Sequence, residues 1–270
     1  MTYFRQFLIF LRELVKNRRI IIELTKSDFR QKYLGSYLGI IWAFVHPTIY
    51  MFILWYVFTN AFKSMPVDNA PFLLWMMSGI IPWFFFSESL LNATNSIIEY
   101  TFIVKKVTFS IGMLPLVKIL SALIIHFFFI IAILIICLCY GYKPSIYNLQ
   151  VFYYLFASII LLLGISWLTS SLVLFMRDVG QIVNMILQFM FWLTPLFWST
   201  KLLSPFTLNL IKLNPVYYLV QGYRDAFVYK VWFWEGHYML SLYFWMITGF
   251  FFVIGGVVFR KLRPHFADVL

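Results

Sequence analysis

The chain has 270 residues, 63% of them hydrophobic and 11% charged, with a formal net charge of +11 and a mean hydropathy of +0.87. A soluble domain carries roughly a quarter charged residues and must wet its whole surface, so this composition excludes an ordinary soluble globular protein. It does not point to nucleic acid, because the cations form no stripe or patch; they stand in short clusters between apolar runs, as the positive-inside rule requires. The fold class expected is all-α integral membrane.

Residues 1–34 come first and read as a cytoplasmic interface segment. Phe4, Phe7, Leu8, Leu11, Leu14 and Val15 repeat at helical spacing, with Arg5, Arg12, Lys16 and Arg19 on the opposite side. This predicts a basic amphipathic helix lying in the membrane interface, its cations near anionic headgroups. The segment is charged throughout and has no isolated apolar core before a small-residue cleavage site, so no cleavable signal peptide is expected.

Residues 35–270 read as one membrane domain of six spans, near Ile40–Phe62, Phe72–Leu91, Leu114–Tyr140, Phe152–Met176, Ile182–Trp198 and Tyr238–Phe259, since a bilayer core takes about 20 apolar residues in helix. Span one opens on a small-xxx-small pair, Gly35 and Gly39, and carries Tyr37, Phe44, Thr48 and Trp55 on one face. Its Pro47 removes a backbone hydrogen bond and predicts a kink. Span two aligns Glu88, Asn92, Asn95 and Glu99, and contains the aromatic run Trp83–Phe86, which has no assigned role. Span three carries His126 with no partner in view and Cys137 and Cys139, which are too close on one element to pair and read as apolar fillers. Span five aligns Gln181, Asn184, Gln188, Trp192 and Pro195 at spacings of a helix face. Such a stripe is either interhelical glue or the wall of a subunit interface or pathway, and the spacing leaves both open. After it, Pro205–Tyr229 mixes apolar, aromatic and charged residues around Asn214-Pro215 and predicts short interfacial or re-entrant helices. There a dipping helix would bury Tyr217, Tyr218 and Phe227 and leave Arg224-Asp225 hydrogen-bonded.

Lys and Arg set the orientation. The N-terminal cluster, Lys105, Lys106, Lys118, Arg177, and the tail's Arg260, Lys261 and Arg263 outnumber Lys63, Lys143, Lys201, Lys212, Arg224 and Lys230 on the other side, so both termini are expected in the cytoplasm. No GxSxG, HExxH, paired-carboxylate or metal-ligand spacing stands in the chain, and no phosphate-cradling GxxxxGK[ST]. Glu88 is the one acidic group placed for ion coupling, and no internal repeat accompanies it. Energy for moving a solute is therefore expected from a separate ATPase. A multispan transferase acting on a lipid-linked sugar is the alternative; it requires a catalytic acid or histidine with a partner, which the sequence does not display.

The order and spacing of KYLGSYLGIIWAFVHP, FMRDVGQIVNMILQFMFWLTPLFW and LNPVYYLVQGYRDAF resemble the type-2 ABC exporter permeases of the polysaccharide-export branch, namely the wall teichoic acid translocation permeases and the O-antigen polysaccharide permeases. The resemblance implies a multi-pass protein of the bacterial inner or plasma membrane. It also implies a second copy of the chain and two copies of a P-loop ATPase, which would bind ATP and Mg, so that no cofactor is expected in this chain. On matching positions it makes Lys105, Lys106, Arg177 and Asp178 the ATPase contacts. Tyr37, Phe44, Thr48, Trp55, Gln181, Asn184, Gln188 and Trp192 become the pathway and dimer face. Tyr217, Tyr218, Arg224 and Asp225 become the outer gate. The cargo implied is an undecaprenyl-diphosphate-linked glycopolymer, wall teichoic acid foremost, with its head at Arg30 and Lys32.

Overall fold

A computed structural model describes residues 12–32, 37–63, 70–102, 110–200, 203–235 and 238–269, with backbone only at Ala267 and Asp268. The described residues form helices: α1 (Arg18–Gln31), α2 (Trp42–Asn60), α3 (Phe72–Glu99), α4 (Leu114–Cys139), α5 (Gln150–Leu172), α6 (Asp178–Leu193), α7 (Pro205–Lys212), α8 (Pro215–Arg224), α9 (Tyr238–Leu262) and α10 (Phe266–Val269). A five-residue π-helical turn, Asp225–Tyr229, extends α8.

Five helical stretches are long and apolar enough to cross a membrane: Gly39–Asn60, Phe72–Glu99, Ile111–Cys139, Ile146–Leu172 and Tyr238–His265. They overlap the expected spans one to four and six, but the second runs on to Glu99, the fourth begins earlier, at Ile146, and the last runs on to His265. The expected fifth span differs. It is α6, a helix of 16 residues and so about 24 Å long, short of the roughly 30 Å hydrocarbon core. Pro195 is the reason. A residue before proline is driven out of the helical region, and Thr194 has φ −81 and ψ 130. The chain then runs irregularly through Thr194–Phe197, which are buried.

The central element is α3, 78% buried over its most apolar window, against 11% for the stretch containing α2. It packs on α4, α5 and α8, with α2 and α6 at its flanks. The Trp83–Phe86 run lies on this axis: Trp83, Phe85 and Phe86 are core side chains, and Phe84 meets the ring of Tyr50 at 5.7 Å. Hydroxyls join the bundle too, with Thr94 Oγ1 and Thr169 Oγ1 2.8 Å apart in the core. On the far side, α5 and α9 touch backbone to backbone; a Cβ placed on Gly255 would lie 2.0 Å from the carbonyl oxygen of Gly164.

The short helices have ordinary start signals. Ser204 and Asn214 cap α7 and α8, accepting from Thr207 N (3.3 Å) and Val216 N (3.0 Å), with Pro205 and Pro215 in the first turn.

Candidate functional site

The chain past the early end of α6 is held by α8. Asn214 Nδ2 donates to Thr194 Oγ1 at 2.8 Å, which ties the start of α8 to the break. From the other end of α8, Arg224, 2% exposed, donates through Nη2 to the carbonyl oxygens of Pro195 and of Leu196, the latter at 3.2 Å. Its guanidinium also lies 3.6 Å from the centre of the Trp75 ring. Carbonyls left open past a helix C-terminus attract cations, and here a buried arginine supplies both charge and donors. Gly79 of α3 makes the room: a Cβ there would stand 3.0 Å from Arg224 Nη2 and 3.4 Å from the Leu196 carbonyl. Irregular backbone at membrane depth is tolerated only when protein satisfies it, and Arg224 does so.

Tyr217, Tyr218 and Phe227 are buried, as expected for a dipping helix. Tyr218 Oη lies 3.1 Å from both Tyr153 Oη and Ser241 Oγ, and Trp245 Nε1 donates to Tyr153 Oη at 2.9 Å, so α8 is bonded to α5 and α9. Asp225 is equally buried and accepts from Gln221 Nε2 at 3.0 Å. The side-chain bonds of Arg224 thus go to the α6 break, a use that the charge pattern of the segment alone did not reveal.

His126 has a partner. Its Nε2 lies 2.9 Å from Tyr223 Oη and its ring 4.8 Å from that of Phe85. Sequence spacing hid this pair because the two residues are 97 apart.

At the opposite end of the bundle, Lys118 of α4 is 7% exposed and bonds to both Asp28 of α1 and Glu99 of α3. Tyr100 Oη donates to Asp28 Oδ1 at 2.9 Å, and Lys118 Nζ stands 5.0 Å from the Tyr100 ring centre. Burial, and then the Asp28 charge, raises the Tyr100 phenol well above its ordinary range. This cluster clamps α1 onto α3 and α4. Nearby, Lys32 pairs with Glu88 of α3, while Arg30 is exposed. Among the described residues Glu88 therefore serves an ion pair, a role the sequence left blank.

The residues expected along the pathway lie at the flanks. Tyr37 and Thr48 are exposed, and Thr48 Oγ1 donates to the Phe44 carbonyl at 2.6 Å. Phe44 and Trp55 are half-buried, the first 4.6 Å from the Phe128 ring of α4. On α6, Gln181, Gln188 and Trp192 are exposed and Asn184 half-buried; only Val183 and Leu187 of that helix are buried. Among the described residues, none of the three amides makes a side-chain hydrogen bond, so they do not glue α6 to its own bundle. Arg177 and Asp178 are exposed at the start of α6. Lys105 and Lys106 lie outside the described residues, as does Gly35.

Sequence reasoning missed Trp75, Gly79, Asp28 and the pairing role of Lys118. Lys118 carried a signal, as a lone cation within an otherwise apolar helix.

The sequence profile of the ABC-2 type transporters matches residues 20–228, and the chain belongs to that family. It is a membrane-spanning permease chain of an ABC transporter. Among curated relatives it is similar to an O-antigen export system permease protein RfbA of Klebsiella pneumoniae, 29% identical over 256 residues that cover 93% of this chain and 95% of the relative. A second Klebsiella pneumoniae protein of the same name is 27% identical over 256 residues, with the same coverage. The RfbA of Myxococcus xanthus is 24% identical over 218 residues, covering 80% of this chain and 83% of the relative.

Proposed function

We propose that this chain is the permease of an exporter that carries a lipid-linked cell-surface glycopolymer across the inner or plasma membrane. The observation that carries the reading is its similarity, over nearly the whole of both chains, to permeases named for O-antigen export. An O-antigen-type polysaccharide is the first substrate to test, and wall teichoic acid the second. Two copies of the chain face each other across α2 and α6. The outward amides and Trp192 support this, because lipid satisfies no amide and an aromatic ring suits the C–H faces of sugars. A P-loop ATPase, two copies per assembly, binds ATP and Mg and docks near Lys105, Lys106, Arg177 and Asp178. In this assembly α6 and the Arg224-braced segment together make the sixth crossing, both termini are cytoplasmic, the N-terminal segment lies in the interface, and Tyr217–Asp225 forms the outer gate. Arg30 and Lys32 receive the anionic head of an undecaprenyl-diphosphate-linked polymer.

Deleting the gene in the source bacterium tests this. The expected result is loss of the surface polymer with lipid-linked polymer accumulating on the cytoplasmic side, restored by the intact chain. Polymer that reaches the surface in normal amount but with altered decoration would replace the exporter by a transferase.

A further inference from the structure

A cavity of ≈ 610 Å³ opens between α2, α3 and α4, on the flank of α3 and inward of the α6 break. Its volume falls within the roughly 300–1,000 Å³ of pockets that hold small molecules. The walls are apolar and largely aromatic: Trp42 and Tyr50 from α2, Phe84 and Phe85 from α3, Ile125 and Phe129 from α4. One end is polar and carries the Lys32–Glu88 pair, both partners about one-third exposed (37% and 30%). His126, 3% exposed, also lines the cavity.

The dimensions suit an amphiphile. Lining residues on α3 run from Asn92 to Ile81, eleven positions or about 16 Å along a helix, close to half of the roughly 30 Å hydrocarbon core. The cavity therefore has the depth of a single leaflet, with a cation at the interfacial end and rings along the rest. We propose that it holds the hydrocarbon chain of a phosphate-headed amphiphile, whose head takes Lys32 from Glu88. With the cavity empty, Glu88 keeps the Lys32 arm on the mouth; with it filled, the phosphate becomes the partner, a charge-assisted bond that Glu88 competes against. Such an amphiphile has two possible sources, a resident anionic phospholipid or a polyprenyl phosphate. The polyprenyl source rests on the glycopolymer reading, in which Lys32 receives the polymer's head, and the phospholipid source rests on the geometry of the cavity alone.

A dodecyl phosphate bearing a diazirine on its chain, photolysed with the purified full-length chain in nanodiscs, tests the site. Labelling is expected on peptides holding Tyr50, Phe84 and Ile125, and not with the matching diazirine-bearing dodecanol. Lys32→Gln should raise the half-saturating concentration about tenfold, the scale of one lost bond to a charged group. Glu88→Gln should lower it severalfold by removing the competitor, and Ser87→Trp, which fills the mouth, should abolish labelling. Competition by phosphatidylglycerol would assign a resident lipid and competition by a polyprenyl phosphate a carried one, and either supports the site. Equal labelling by the alcohol would overturn it. So would Glu88→Gln weakening labelling as much as Lys32→Gln, or unchanged labelling of a Ser87→Trp variant that unfolds at the wild-type temperature.

Discussion

Arg224 holds a full charge in a nearly closed environment, and three groups justify it: two backbone carbonyls and the Trp75 ring. Arg224→Ala leaves those carbonyls buried without donors, at about 1–3 kcal/mol each, and forfeits a desolvated cation–π contact. The variant should lose about 3 kcal/mol, read as a lower unfolding temperature in detergent. Arg224→Lys keeps the charge but has no planar fork, and should fall between the two. Gly79→Val should resemble Arg224→Ala, because its side chain occupies the guanidinium's place; wild-type stability in both would show that the brace carries no weight.

Between elements, the Lys118 clamp decides whether α1 stays on the bundle. Lys118 faces Asp28 and Glu99 together, so Lys118→Met strands two carboxylates, one of them buried. Breaking a buried pair by removing one partner costs about 3–5 kcal/mol, whereas removing both charges costs far less. Lys118→Met should therefore unfold at a lower temperature than Lys118→Met/Asp28→Asn, and trypsin should cut at Lys26 and Arg30 faster in the single variant. Equal behaviour of the two would mean that α1 is held by Ile21 and Phe29 packing alone. Five long apolar runs were legible at this scale because twenty apolar residues have one physical use. So was the α6 stripe, which needs only helical spacing. Tertiary pairings were not legible: Arg224 with the Pro195 and Leu196 carbonyls, His126 with Tyr223, Lys118 with Asp28. Each joins residues far apart in sequence, and no periodicity encodes them. The length of α6 was misread because hydropathy continues through Pro195 while the backbone does not.

As a whole molecule, the chain buries α3 on nearly all sides and leaves most of α2 and α6 outside. Apolar faces at those positions can meet lipid. Gln181 and Gln188 cannot, since each amide in hydrocarbon costs several kcal/mol without a partner. Gln188 lies ten residues into α6, about 15 Å from its start, which is half of a roughly 30 Å hydrocarbon core. The claim that this face lines a water-filled or subunit-lined path is tested most directly by thiol accessibility. With Cys137 and Cys139 replaced, Gln188→Cys and Phe189→Cys are each exposed to a charged, membrane-impermeant thiol reagent in the assembled transporter, with and without its ATPase. Labelling of Gln188→Cys by the aqueous reagent, or its crosslinking to a second copy, with Phe189→Cys reached only by a lipid-soluble maleimide, is the predicted result. Labelling of both positions from the lipid phase alone would contradict it.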